Sequence, residues 1–182
     1  MKTKDLVLNA LMIAVLVIAS QLSIPFQPVP ITLQTLAVML IGMLRGPKNS
    51  FIIIGGYTVL GLIGLPVFSG FSGGLQTILS PSFGFILSWW LAVPLQSLYL
   101  QRREYVEYKE LVVSSLINSL VTSMIGIPYM AAILNLYLGA DMSFYAVLMA
   151  GFIPFIPGDI VKIILAVLIG KRLYPKLSKH HD

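Results

Sequence analysis

The 182-residue chain contains no cysteine, which excludes disulfides, thiolate nucleophiles and thiolate metal sites. Histidine is nearly as scarce. Its two copies, His180 and His181, sit together in the C-terminal tail, so the body of the chain has no imidazole for a metal centre or a general base. Charge is the third shortage: Asp, Glu, Lys and Arg make up 10% of the residues, against roughly 25% in a soluble domain. The long apolar runs hold a single carboxylate, Asp159, and no Glu. An intramembrane hydrolase needs paired acids, a nucleophile with its base, or a metal cluster, so an enzyme is not expected. The chain also lacks the Gly-x-x-x-x-Gly-Lys-Ser/Thr loop, so any dependence on ATP has to come from another chain.

What is present in excess is apolar surface. With 57% of residues hydrophobic, the chain reads as a polytopic membrane protein made of a single domain over residues 1–182. The net charge of +5 does not indicate a nucleic-acid partner, because the basic residues stand in small groups beside apolar runs, as membrane topology signals do. A secretory signal peptide is the competing reading of the first 20 residues, where Lys2 and Lys4 precede an apolar run ending in Ala-Ser. That run continues directly into a second apolar segment, which favours a first span instead.

The positions of the 12 Lys and Arg residues give the expected topology. Lys2 and Lys4 form one cluster, Arg45 and Lys48 a second, Arg102, Arg103 and Lys109 a third, and Lys171, Arg172, Lys176 and Lys179 a fourth, leaving Lys162 alone. If all four clusters are cytoplasmic, the chain crosses an even number of times between neighbours. Segments 5–44, 49–101 and 110–170 are each too long for one crossing of about 20 residues and suit two. Each is also broken near its middle by proline and glycine, as in SIPFQPVPIT, LPVFSGFSGGLQTILSPSFG and LGADMS through FIPFIPGD. The expected fold is all-α, a six-transmembrane-helix bundle with external lid loops. Its six helices form three hairpins, both termini are cytoplasmic, and the cytoplasmic membrane is the expected location.

The expected external segments are unusually apolar. Residues 66–84 carry no charge and contain Phe68, Phe71, Leu75 and Phe83, while residues 24–35 contain Pro25, Pro28 and Pro30. Irregular backbone of this kind packs on protein or lines a cavity. It therefore reads either as a pair of tight caps or as a lid over a pocket, with Phe26, Phe68 and Phe71 against an apolar ligand and Gln34 and Gln76 as polar handles. In the first span Ala10 and Ala14 place small residues four apart on one face, a pattern that admits close approach of another helix. In the fifth, Asn118 stands beside a stripe of Ser115, Ser119, Thr122 and Gly126 and is a pocket candidate.

The sharpest signal is IPGDIVKIIL, residues 156–165. A charge at the centre of a membrane helix costs about 2.5 to 3.5 kcal/mol on insertion scales, so such residues usually face a cavity, a partner or a ligand. With the last helix starting near Gly158 or Asp159, Asp159 lies in the first turn, where free amides and the helix dipole stabilise a carboxylate. Lys162 follows three residues later on the same face, within reach of an ion pair. A capped helix whose lysine snorkels outward is the plain reading. An acceptor and donor pair at the floor of a lidded pocket is the functional one.

Three ordered motifs carry a resemblance over nearly the whole chain: IPFQPVPITLQTLAVMLIGMLRGPK, GLIGLPVFSGFSGG and FIPGDIVKIILA. Together they resemble the BioY family, the biotin-specific substrate-binding (S) components of energy-coupling-factor transporters. The resemblance implies capture of biotin from outside the cell, no cofactor of the chain's own, and work alongside a transmembrane coupling subunit and two cytoplasmic ATPase subunits in a lipid bilayer. It also implies that the biotin-associated parts of the family map here to Gln34, to the region of Gly73 and Gln76, and to Asp159 and Lys162, and that Ala10 and Ala14 face the coupling subunit. The chain departs from the family where members commonly read GPTGG, since it has SPSFG at 80–84. Biotin's ureido group offers two N–H donors and one carbonyl, which an Asp and a Lys could meet, although Lys162 could equally serve the valerate carboxylate. A self-sufficient proton-coupled transporter working through Asp159 is the alternative function.

Overall fold

A computed structural model describes residues 3–177, so Lys2, Lys179, His180 and His181 lie outside the described residues. Helix α1 (Thr3–Gln21) leads into a short antiparallel pair, β1 (Ser23–Ile24) and β2 (Ile31–Thr32), with Ser23 opposite Thr32 and Ile24 opposite Ile31. The proline-rich stretch between these strands cannot supply helical N–H donors, and it closes as a loop. Helices α2 (Gln34–Leu44) and α3 (Pro47–Leu62) follow, joined by a tight Arg45–Gly46 connection in which Pro47 suits the first turn of α3.

A long loop with two 3-10 turns, Ser69–Phe71 and Leu75–Leu79, leads to α4 (Phe83–Gln101). Helix α5 (Tyr108–Ala132) opens on a capping box in which Glu107 and Glu110 each satisfy the other's backbone amide, and it runs on through a π-helical turn, Ile133–Tyr137. A short α6 (Phe144–Gly151) is capped by Ser143, whose hydroxyl accepts from the Ala146 amide at 3.2 Å. Helix α7 (Ile156–Leu177) completes the chain.

Among the described residues there are six principal helices, in the all-α arrangement that the charge clusters implied, with α6 as an unexpected seventh. It forms inside the segment expected to be a bare loop, because FYAVLMAG is apolar and free of proline and follows a serine cap. Helix α7 starts at Ile156, ahead of the expected Gly158 or Asp159, because Pro157 is tolerated in a first helical turn. Among the described residues, four segments are long and apolar enough to cross a membrane alone: α1, α4, α5 with its π-helical turn, and the α6–α7 stretch. At 1.5 Å per residue α2 and α3 span about 16 and 24 Å, less than the roughly 30 Å hydrocarbon core.

The core lies in three layers along the bundle. The largest, with Leu16, Ile41, Tyr57 and Trp89, joins α1, α2, α3 and α4. Met39, Met43, Leu100, Leu111 and Val167 fill the end away from the loops, and Val29, Met130 and Val147 fill the loop end near α6. Apolar side chains also cover the outside: Leu6, Val7, Leu11 and Ile18 on α1, and Ile160, Val161, Ile164 and Leu168 on α7, are all exposed. A surface of this kind is stable only against hydrocarbon, and the molecule is a membrane protein.

Candidate functional site

The loop end holds a cavity of about 280 Å³ walled by the first loop, the long loop, α4, α5, the α6–α7 region and the start of α2. Asp159 and Lys162 stand on its wall. One turn of α7 brings the Lys162 ammonium to 3.2 Å from the Asp159 carboxylate. The lysine side chain is 8% exposed and the aspartate 34%, so the cation is the deeper partner. Lys162 therefore does not snorkel outward. Its ammonium keeps donor capacity beyond the one bond to Asp159, in a wall that is mostly apolar.

Gln34 also lines the cavity, and its amide is spoken for on both sides. The oxygen accepts from the Thr32 hydroxyl at 3.0 Å, and the nitrogen donates to the Tyr57 hydroxyl at 2.7 Å. Tyr57 in turn donates to the Val67 carbonyl at 3.1 Å, which also accepts from Ser20 at 2.7 Å. Gln34 thus ties the first loop to the root of the long loop. Phe68 is buried in the wall, edge-on to Tyr57 with ring centroids 5.4 Å apart. Asn118 lines the cavity from α5 and donates to the Gln96 side-chain oxygen at 2.8 Å.

Four residues expected in the pocket stand elsewhere. Gln76 is exposed and turns back to donate to the Gly73 carbonyl of its own turn at 2.6 Å. Gly73 is required for space rather than for a ligand: any side chain there would run into the Leu65 carbonyl. Phe71 is 72% exposed, because the Gly70–Phe71 backbone passes through left-handed conformations, φ 71° and 55°, that turn the ring away from the bundle. Phe26 packs edge-on against Phe155 at 6.0 Å, and it is Phe155 that reaches the wall.

Several wall residues had no obvious signal in the sequence. Phe85, Ile86, Phe152 and Phe155 supply apolar surface beside Phe83 of the apolar loop, and Ser80 and Ser82 enter from the SPSFG turn. Among the described residues, three buried side-chain polar atoms have no hydrogen-bond partner: Thr35 Oγ1, Trp89 Nε1 and Thr122 Oγ1. All three residues line the cavity. Leaving a buried polar group unpaired costs about 1 to 3 kcal/mol, so their collection at one place marks a wall not built for stability alone.

The long loop is fastened on two sides. At the end of α1 the Gln21 amide donates to the Phe68 carbonyl at 3.1 Å and accepts from the Phe71 amide at 3.0 Å. On α5 the Tyr129 hydroxyl donates to the Ile78 carbonyl at 2.5 Å. Ala10 and Ala14 are exposed on the outward face of α1, away from the cavity. At the opposite end of the bundle Arg45, expected as a topology signal, is 2% exposed. Its guanidinium pairs with Asp5 at 3.0 Å and donates twice to the Asn9 side-chain oxygen at 3.0 and 3.2 Å, while Asn9 donates to Asn49 at 3.0 Å.

Residues 1–179 match the model of the BioY family. A protein of Pyrococcus horikoshii named as a probable biotin transporter BioY is 38% identical over 173 residues, covering 95% of this chain and 98% of that protein. The biotin transporter BioY of Rhizobium etli is 35% identical over 191 residues, covering 97% and 98%. Among solved structures, the S-component for biotin from an ECF-type ABC transporter superposes with a TM-score of 0.82 at 30% identity, over 95% of this chain and 94% of that one.

Proposed function

The chain belongs to the BioY family of transporter components, and on that footing we propose that it captures biotin for uptake across the cytoplasmic membrane as the substrate-binding component of an energy-coupling-factor transporter. The observation that carries the reading is the ion pair of buried Lys162 with half-buried Asp159 in the wall of an otherwise largely apolar, loop-covered cavity. Biotin is an apolar bicycle with one strongly polar edge and an anionic tail. Its ureido carbonyl accepts from Lys162, its ureido N–H groups donate toward Asp159, and the bicycle lies against Phe68, Trp89 and Phe155. Hydrogen bonds to charged groups contribute about 1.5 to 3 kcal/mol each.

In this reading the chain catalyses no reaction and holds no cofactor. A transmembrane coupling subunit and two cytoplasmic ATPase subunits supply the energy, and both termini of this chain face the cytoplasm. The exposed Ala10 and Ala14 form the face of α1 that meets the coupling subunit, since small residues let helix backbones approach closely. Calorimetric titration of the purified chain with biotin tests the core of the proposal: saturable one-to-one binding is expected, and no heat at any biotin concentration would overturn it. Replacing both Ala10 and Ala14 with Trp should leave that titration unchanged while ATP-driven uptake by the assembled transporter falls. Equal loss of both would place the alanines in the chain's own packing instead.

A further inference from the structure

Gln96 is fully buried in α4, in a layer where an apolar side chain would pack without needing partners. Its side-chain nitrogen donates to the backbone carbonyl of Met39 on α2 at 3.1 Å, and its oxygen accepts from the Asn118 amide nitrogen at 2.8 Å. The Ser114 hydroxyl, 3.5 Å from the same nitrogen, is already committed as donor to the Leu111 carbonyl at 2.8 Å. Gly42 makes room for this arrangement, because a methyl group there would overlap the Gln96 amide.

The polarity of the chain of bonds is set at one end. A backbone carbonyl can only accept, so Gln96 must turn its nitrogen to Met39 and its oxygen to Asn118. Asn118 must then turn its own nitrogen to Gln96. What Asn118 has left for the cavity it lines is its Oδ1, which has no partner among the described residues, and one spare N–H.

We propose that Gln96 is a positioning residue that holds Asn118 with its carbonyl oxygen toward the cavity, so that the pocket selects a ligand N–H at that point. This rests on the biotin reading above and refines it: Asn118 accepts one of the two ureido N–H groups assigned there to Asp159, Asp159 keeps the other, and Lys162 serves the carbonyl between them. Two acceptors and one donor then match the two donors and one acceptor of a cyclic urea. Without Gln96 the Asn118 amide is free to rotate and to present a donor where the ligand also has a donor.

Gln96→Met keeps the volume and removes both bonds, and it should weaken biotin binding about tenfold. A structural defect would weaken every ligand alike, so the variant is also titrated with two biotin analogues, each with a different ureido N–H replaced by CH₂. Against one of them the loss relative to the unsubstituted chain should vanish, because the bond that Gln96 orients is already gone. Gly42→Ala displaces Gln96 without touching the cavity and should reproduce the tenfold loss, yet it should cost nothing further in a Gln96→Ala background, where the added methyl group has space. Biotin affinity unchanged in Gln96→Met, equal losses for biotin and both analogues, or additive effects of Gly42→Ala and Gln96→Ala would each overturn the assignment. Failure of the unsubstituted chain to bind biotin would instead strike the parent reading.

Discussion

The bundle buries a cation at each end and treats the two differently. At the end away from the loops, Arg45 makes three side-chain bonds, one to Asp5 and two to Asn9, which is itself held by Asn49. At the loop end, Lys162 has one carboxylate partner that is itself a third exposed, and three further polar atoms of the same cavity wall have no partner at all. A buried charge held by several partners from another element ties those elements together. One left under-satisfied beside a cavity is stored interaction for something that arrives later.

Cutting the Arg45 end should give the largest effect. Arg45→Met takes the guanidinium from Asp5 and Asn9 together and should cost about 3 kcal/mol of stability, seen as a lowered unfolding midpoint in detergent, while the folded fraction binds biotin normally. The under-satisfied end should behave in the opposite way. Asp159→Asn and Lys162→Met should each weaken biotin binding roughly ten- to a hundredfold with the protein still folded and monodisperse. Unchanged affinity in both would end the distinction between the two cations.

A smaller effect of reversed sign sharpens the contrast. Thr122→Val keeps shape and removes a buried hydroxyl that has no partner, so the ligand-free protein should gain about 1 kcal/mol in thermal or denaturant unfolding. A loss of stability would show that the hydroxyl is satisfied after all. The smallest perturbations test which end is which. Single cysteines at Ser72 and Ser143 should react with an impermeant thiol reagent added to intact cells, and one at Tyr105 should not.

Much of this was legible in the chain. Four basic clusters and three proline- and glycine-rich breaks implied the hairpins, and two charges in IPGDIVKIIL implied the pair on α7, because charge in an apolar run is costly and therefore informative. What escaped depended on direction rather than composition. Phe71 and Gln76 belong to the right loop, but positive-φ turns at Gly70, Phe71 and Gly74 decide which way its side chains point, and no periodicity encodes that. Arg45 reads with Lys48 as a topology signal in the sequence, and only packing reveals that it is buried on Asp5 and Asn9, 40 and 36 positions away in sequence. Gln96 did carry a signal, a lone amide in the apolar run LAVPLQSLYL, of the same kind that drew attention to Lys162.

Helix α1 is fastened by polar bonds toward both ends, and between them one of its faces is left open. Asn9 is held at one end by Arg45 and Asn49, and Ser20 and Gln21 grip Val67, Phe68 and Phe71 at the other. Between these fastenings Leu16 and Ala19 are buried and Met12, Ile13 and Val17 pack half-buried on the core, while Ala10, Leu11, Ala14, Val15 and Ile18 face outward. The outward positions are therefore free to drift under mutation without threatening the fold. Substitutions exchanged among apolar residues there should be nearly silent for folding, so that whatever selection acts on that stripe answers to a neighbour and not to the chain that carries it.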